Sequence, residues 1–472
     1  MSKLKNPSPV AKPRFGWLAV PLLAFALAGC SAFDDDDDDD PPPVTAPATA
    51  KVRVVHASPD APPVNIVVSG STTLLSNFDY EAISPLVEVG TGDLQVAVNG
   101  ILPGSTPTVI GPATLTLAAD KIYTAVAVDY VADIGLELIE TDDTAVASGQ
   151  TRVTVFHGAP AAPQVDVYVT APDAALADAT ALGSFAFRQT LGPVTVANAD
   201  YRIRVTLAGD KDTVVFDSGT VPLAGGDLLL VASENILNSE YGSDYSPINL
   251  LVSDGSNPSS VIRDVNTPAA LRVVHASPDA PAVDVVVNDN FAEPLVNALA
   301  YPDFTGYVRV PADSYNVKVA ADADNDIVAI DADLDLAAGS VSSVLAVGEL
   351  ASIEPLVLTD NPRRIATEAR VRLVHGSPAA GAVDIYVVAP GTDLNTVTPN
   401  FSNVPFKAET GYVSLPAGDY DVVITPTGSK TAAIGPLEIS VEAGGIYTAI
   451  ARDEVGGGGP LGVILLDDFV VL

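Results

Sequence analysis

Four histidines are spread along 472 residues, and each occupies the same place in a recurring phrase. His56, His157, His275 and His375 lie in RVVHASPDAPPVNIVV, RVTVFHGAPAAPQVDVYV, RVVHASPDAPAVDVVV and RVRLVHGSPAAGAVDIYVV. Three are followed two residues later by a serine (Ser58, Ser277, Ser377), and three are followed nine residues later by an aspartate (Asp166, Asp284, Asp384). Histidine, hydroxyl and carboxylate together are the material of a nucleophilic triad, which needs base, nucleophile and orienting acid within hydrogen-bond reach. The copies do not keep that set. Ala159 replaces the serine in the second, Asn65 replaces the acid in the first, and no G-x-S-x-G elbow occurs. The expectation is a non-enzymatic, structural motif. The histidine ends a strand, the proline at +3 (Pro59, Pro160, Pro278, Pro378) fixes a turn, and the imidazole satisfies turn backbone. The acid at +9 is expected to pair with the arginine three before the histidine: Arg53, Arg272 and Arg372. The second copy has Thr154 there.

A second set of carboxylates has metal-ligating spacing. In DADNDIVAIDAD, Asp322, Asp324, Asp326 and Asp333 occupy positions 1, 3, 5 and 12 of a calcium-loop template, with Ile327 in place of the turn glycine. The other copies carry GILPGSTP, AGDKD and PTGSK in this region, so a variable hairpin tip is the competing reading. One histidine per copy cannot supply the converging ligands of a zinc site unless domains pack face to face. No cofactor is expected, with calcium at these four aspartates as the alternative.

The single cysteine calls for a different chemistry. Residues 1–14 hold Lys3, Lys5, Lys12 and Arg14 without an acid, then FGWLAVPLLAFALA runs uncharged from Phe15 to Ala28. That is a secretory n-region and h-region, too short to span a bilayer. Leu27-Ala28-Gly29-Cys30 follows and resembles the lipobox of bacterial lipoproteins. The resemblance implies a signal peptide at 1–29 and acylation of Cys30, with two or more hydrocarbon chains for stable anchoring. Ser31 is similar to the outer-membrane sorting residue of such proteins; facing the periplasm and facing the cell surface both stay open. Seven aspartates, Asp34 to Asp40, and Pro41-Pro42-Pro43 make residues 30–50 an expected disordered tether.

The elements that carry the histidine motif repeat with it, roughly every 100–120 residues. A second anchor recurs in each copy (VGTGDLQVAV, VANADYRIRV, VPADSYNVKV, LPAGDYDVVI), and each copy closes on an apolar run into acid (LELIETDD, INLLVSD, IEPLVLTD, VILLDD). Short alternating runs of Val, Ile, Thr and Tyr, broken by Gly, Pro, Asp and Asn, predict half-buried strands. About seven strands per copy predict an all-β chain of four tandem antiparallel β-sandwich domains, immunoglobulin-like or transthyretin-like, at 51–145, 150–253, 269–360 and 368–472. The best helical segment is 172–182, PDAALADATAL. With the lipobox, the VVHASPDAPxVD phrase and its AGDYxV partner resemble the bacterial domain of unknown function 4397 family, found in tandem on secreted and lipid-anchored proteins. The resemblance implies no particular activity.

Composition narrows the partners. With 59 acidic against 23 basic residues and a net charge of -36, a nucleic-acid partner is excluded, because phosphate recognition needs clustered cations. The expected function is a lipid-anchored outer-membrane protein whose linear domain array presents structural or adhesive surfaces to an unidentified protein or glycan. The alternative is a calcium-dependent or carbohydrate-binding surface protein. Against it, Tyr168, Tyr386, Tyr412 and Trp17 form no aromatic cluster along the sequence.

Overall fold

The computed structural model describes residues 48–256 and 259–469. Each repeat is a two-sheet sandwich built on eight strands, one more than the expected seven; the first repeat splits its fourth strand into two short pieces on the first strand, and the second adds a ninth strand. In the third repeat these are Ala269–Ala276, Val283–Val287, Val296–Leu299, Val308–Val310, Asp313–Ala321, Asp324–Leu336, Val341–Val347 and Glu354–Thr359. One sheet has the strand order fourth-first-seventh-eighth and the other third-second-fifth-sixth, and the same order recurs in all four repeats. The first strand runs parallel to the seventh in every copy, as Arg272 opposite Ser343 illustrates. This differs from the immunoglobulin arrangement, in which the second and fifth strands lie beside the first and fourth. It is the transthyretin-like arrangement, so the topology left open by the sequence is decided.

The first strand explains the architecture. Along Val52-Arg53-Val54-Val55-His56-Ala57, residues 52, 54 and 56 point into the sandwich and residues 53, 55 and 57 point out of it. Both sets are buried. A strand apolar on both faces needs cover on both sides, and here the outer cover is the next repeat. Val55, Ala57, Val126 and Val128 of the first repeat pack on Phe156, Leu229, Val231 and Leu251 of the second. Val274, Ala276, Leu345 and Val347 of the third pack on Val374, Ile450, Ile464 and Leu466 of the fourth. The expected linear array of independent sandwiches is therefore corrected to two fused pairs, each four sheets deep. Each Val or Leu buried this way contributes about 1.5–3 kcal/mol, and a lone repeat would leave that face wet.

The two pairs are built alike. Tyr80 Oη donates to the Glu234 carbonyl at 2.6 Å, and Tyr301 Oη donates to the matching Asp453 carbonyl at 2.5 Å. The connections also do more than link. Residues 254–268, between the domains expected at 150–253 and 269–360, contain a strand (Ser260–Ile262) that extends the second repeat's sheet. Arg363, between the third and fourth repeats, donates to the Pro59 carbonyl of the first at 2.9 Å. Helix α1 (Ile236–Tyr241) brings Leu237 against Ala270 and Val341 of the third repeat. The helix expected over 172–182 is only one 3-10 turn, Leu176–Asp178; alanine propensity there is offset by two aspartates, a threonine and a proline.

One bulge fixes a glycine. Gly111 and Gly435 lie in the sixth strands of the first and fourth repeats with φ of 85° and 95°. A Cβ would stand 2.6 Å from the Val96 carbonyl oxygen and 2.5 Å from that of Val422. No larger residue fits.

Candidate functional site

The histidine motif is a structural corner in all four repeats. Nε2 donates to the carbonyl six residues on: Pro62 at 3.2 Å, Pro163 at 3.1 Å, Pro281 at 2.9 Å and Gly381 at 2.6 Å. A carbonyl only accepts, so Nε2 carries the proton and Nδ1 is left as an acceptor, unpartnered except at His275, where it takes Ser277 N at 3.4 Å. Burial pushes every one of these imidazoles below the usual value, His56 to about 4, where the Arg363 guanidinium adds to the effect. Each ring also meets an aromatic edge, as His275 meets Tyr301 at 5.9 Å. The serines are not aligned as nucleophiles: Ser58 and Ser277 hydroxyls are buried without a partner, and Ser377 donates to Asp453. A neutral imidazole fixed to backbone, with no serine hydroxyl on its free nitrogen, is arranged for packing.

The acid at +9 does a different job from the expected one. Asp284 accepts from Ala298 N at 2.8 Å, and Asp384 accepts from Asn403 N and Gly428 N at 2.8 and 2.9 Å. Asp166 takes Gly209 N at 2.8 Å, and Asn65 takes Asn77 N at 3.0 Å. These groups fasten the third strand or the fifth-to-sixth hairpin. The predicted ion pairs with Arg53, Arg272 and Arg372 do not form. The arginines sit on the outer face of the first strand, turned toward the neighbouring repeat, whereas the acids belong to the opposite sheet.

The calcium-loop reading is also corrected. Asp324 begins the sixth strand beside the hairpin, whereas Asp333 lies opposite Asn316, five pairs away along the ladder, roughly 16 Å at strand rise. Asp324 instead accepts from Asp326 N at 3.1 Å, a hairpin-tip turn. Asp322, Asp324, Asp326 and Asp333 thus do not converge, and among the described residues no group of three or more His, Cys, Asp or Glu side chains could hold a metal ion. Cys30 and the tether lie outside the described residues.

What the sequence reading missed is the place where three repeats meet. Arg272 donates to Asp467 at 2.7 Å across the third and fourth repeats, and Arg372 donates to Asp360 at 2.5 Å in the opposite direction. Asp360 also accepts from Ser343 at 2.6 Å and from Tyr307 Oη at 2.8 Å. The Arg272 guanidinium lies 4.6 Å from the Tyr307 ring centre, and that of Arg372 lies 4.7 Å from Tyr412. Burial lowers both guanidinium values, but the facing carboxylates raise them further, so each stays charged. Helix α1 of the second repeat closes the group from outside. Tyr241 stands 5.3 Å from Tyr307, and Glu240 accepts from Arg364 at 2.9 Å. Burial pushes the Tyr241, Tyr307 and Tyr412 hydroxyls up. The space between these side chains is a cavity of about 250 Å³. A signal was present: Gly-Tyr-Val recurs at 306–308 and 411–413, where the other repeats have Pro-Leu-Val and Gly-Pro-Val.

The profile described as Domain of unknown function (DUF4397) matches residues 50–168, 269–386 and 389–471. The chain belongs to the DUF4397 family. Within this DUF4397 protein, residues 169–268 lie outside the matched segments, and they include α1 and the added ninth strand of the second repeat. No curated protein matches the chain. Among solved structures it is similar to the Bacillus anthracis TIE protein, at 10% identity over 86% of this chain and 68% of that one, with a TM-score of 0.16. DUF4397 repeats in tandem all-β domains fit a structural or binding protein.

Proposed function

We propose that this protein is a non-enzymatic, lipid-anchored envelope component whose four fused sandwiches form one compact body held off the outer membrane by its acidic tether. The observation that carries the reading is the commitment of the repeated motif to structure. All four imidazoles bind backbone, and the outer face of every first strand is spent on a neighbouring repeat. What remains for recognition is the set of loops and the junction between repeats, the usual location of binding residues on a rigid scaffold. Cys30, at the end of an apolar segment and before an acid-rich spacer, supports attachment through acyl chains.

Fractionation of cells expressing Cys30→Ser tests the anchoring. The expected result is loss of precursor processing and release from the membrane fraction; unchanged partitioning into detergent phase would overturn it. Protease added to intact cells then separates a surface-facing body, which is cut, from a periplasmic one, which is spared. A second reading, a glycan-binding surface protein, gains support from the tyrosine cluster at the junction.

A further inference from the structure

We propose that the cavity where the second, third and fourth repeats meet binds a single pyranose ring of an uncharged saccharide. This deepens the binding role proposed above and names its ligand class. Tyr241, Tyr307 and Tyr412 supply three amphipathic rings around about 250 Å³, a space suited to one sugar ring, at an interface between domains where pockets preferentially form.

The charges decide which ligand fits. Every carboxylate at the cavity is paired with a guanidinium, four acids to three arginines: Asp360 with Arg372, Asp467 with Arg272, and both Glu240 and Asp468 with Arg364. An anionic ligand would meet four carboxylates. A cationic one would compete with Arg272 and Arg372, which already occupy faces of Tyr307 and Tyr412 at 4.6 and 4.7 Å. An uncharged polyol suffers neither conflict. The groups left free at the cavity are of both kinds, as hydroxyls require. Asp467 Oδ2 can accept, since only Oδ1 is held by Arg272, and the Asn361 amide can donate, since only its Oδ1 is used, by Arg363 N. Tyr241, the ring of the three with no guanidinium over it, would stack on the apolar C–H face of the sugar while these two groups fix its orientation.

The test is saturation-transfer difference NMR on the full chain, in a detergent without a sugar headgroup. The probes are free glucose, galactose and N-acetylglucosamine, with choline and glucuronate as charged comparators. At least one uncharged sugar is expected to show transfer with millimolar affinity, and neither charged probe is expected to compete with it. Tyr241→Ala, which removes a ring on the outer helix, should weaken binding at least tenfold. Asn361→Asp keeps the oxygen that caps Arg363 N but loses the donor, and should weaken binding severalfold with thermal unfolding unchanged. No transfer from any uncharged sugar, preference for choline or glucuronate, or full binding in both variants would overturn the site. Because the measurement is made in solution, such a failure leaves the fractionation result for Cys30 untouched.

Discussion

The two sandwich pairs share one geometry and differ in what they bury at its edge. In the first pair the outer face of the first strands meets through Val55, Val126, Phe156 and Leu229, with Arg53 buried and donating to Thr124 Oγ1 at 2.8 Å and the less deeply buried Arg152 paired with Asp227 at 2.6 Å. In the second pair the same apolar centre is flanked by two arginines and two acids, Arg272, Arg372, Asp360 and Asp467. The register locates the difference. Asp360 lies two residues beyond Leu358, which pairs with Ser343; the matching position beyond Ile139, which pairs with Thr124, is Thr141. Where one pair has a carboxylate to receive the arginine, the other has a hydroxyl. An apolar interface needs only shape, whereas a buried charge network adds a requirement that every member be present, which favours specificity over stability.

The largest effect is therefore expected from removing the shared acid. Asp360→Ala leaves Arg372 without its closest carboxylate and Tyr307 and Ser343 without an acceptor, which should cost about 3–5 kcal/mol. Hydrogen exchange read by mass spectrometry reports on each pair separately. Protection should fall in 269–469 and persist in 48–253; a loss below about 1 kcal/mol would show that the network contributes little.

Acid should sort the pairs the other way. A buried neutral histidine binds its proton less readily than the unfolded chain, so its contribution is complete above the unfolded value near 6.5 and is lost as pH falls toward the folded value. For His56, held at about 4, that amounts to about 3 kcal/mol by pH 4. Arg363 sharpens the effect at His56, whereas Asp303 and Asp453 oppose it at His275 and His375. The first pair is expected to lose protection earlier as pH drops from 7 to 4.5, and His56→Gln should flatten its pH slope. Equal loss in both pairs would remove Arg363 from the explanation.

Much of this was legible in the sequence, for a physical reason. Alternation and turn residues are local, so the repeats, their sandwich class and the corner role of the histidines follow from spacing along the chain. Pairing of repeats is not local. Its only trace is a first strand without a polar face, where Val55 and Val274 follow Arg53 and Arg272 and precede another buried residue. Asp284 and Arg272 were expected to meet because both flank one turn, but the turn carries the chain from one sheet to the other and sends them to opposite sides. The junction cavity depends on Tyr241, Tyr307 and Tyr412, on three different repeats. Tyr307 and Tyr412 recur in register, but Tyr241 belongs to an α-helix where the first and third copies have only a 3-10 turn, Val131–Asp133 and Leu350–Ser352, and no period predicts it.

The smallest expected effect tests the comparison most directly. Arg53 has no carboxylate within salt-bridge distance among the described residues, and burial holds its guanidinium down to about 10 against the pull of Asp227. It remains charged at neutral pH, bound through Nε to one hydroxyl. Methionine keeps most of the stem and removes the desolvated charge, leaving only Thr124 without a partner. Arg53→Met should therefore be neutral, or stabilise the first pair by up to about 1 kcal/mol. Arg372→Met makes the same chemical change on the matching strand position but takes from Asp360 its closest guanidinium, leaving Arg272 at 3.9 Å, and should cost about 3–5 kcal/mol. The contrast between these two variants, measured as urea midpoints at one pH, isolates the carboxylate as the cause. If Arg53→Met were as costly as Arg372→Met, Thr124 would have to be as good a receptor for a buried guanidinium as Asp360, and the two interfaces would be energetically one design.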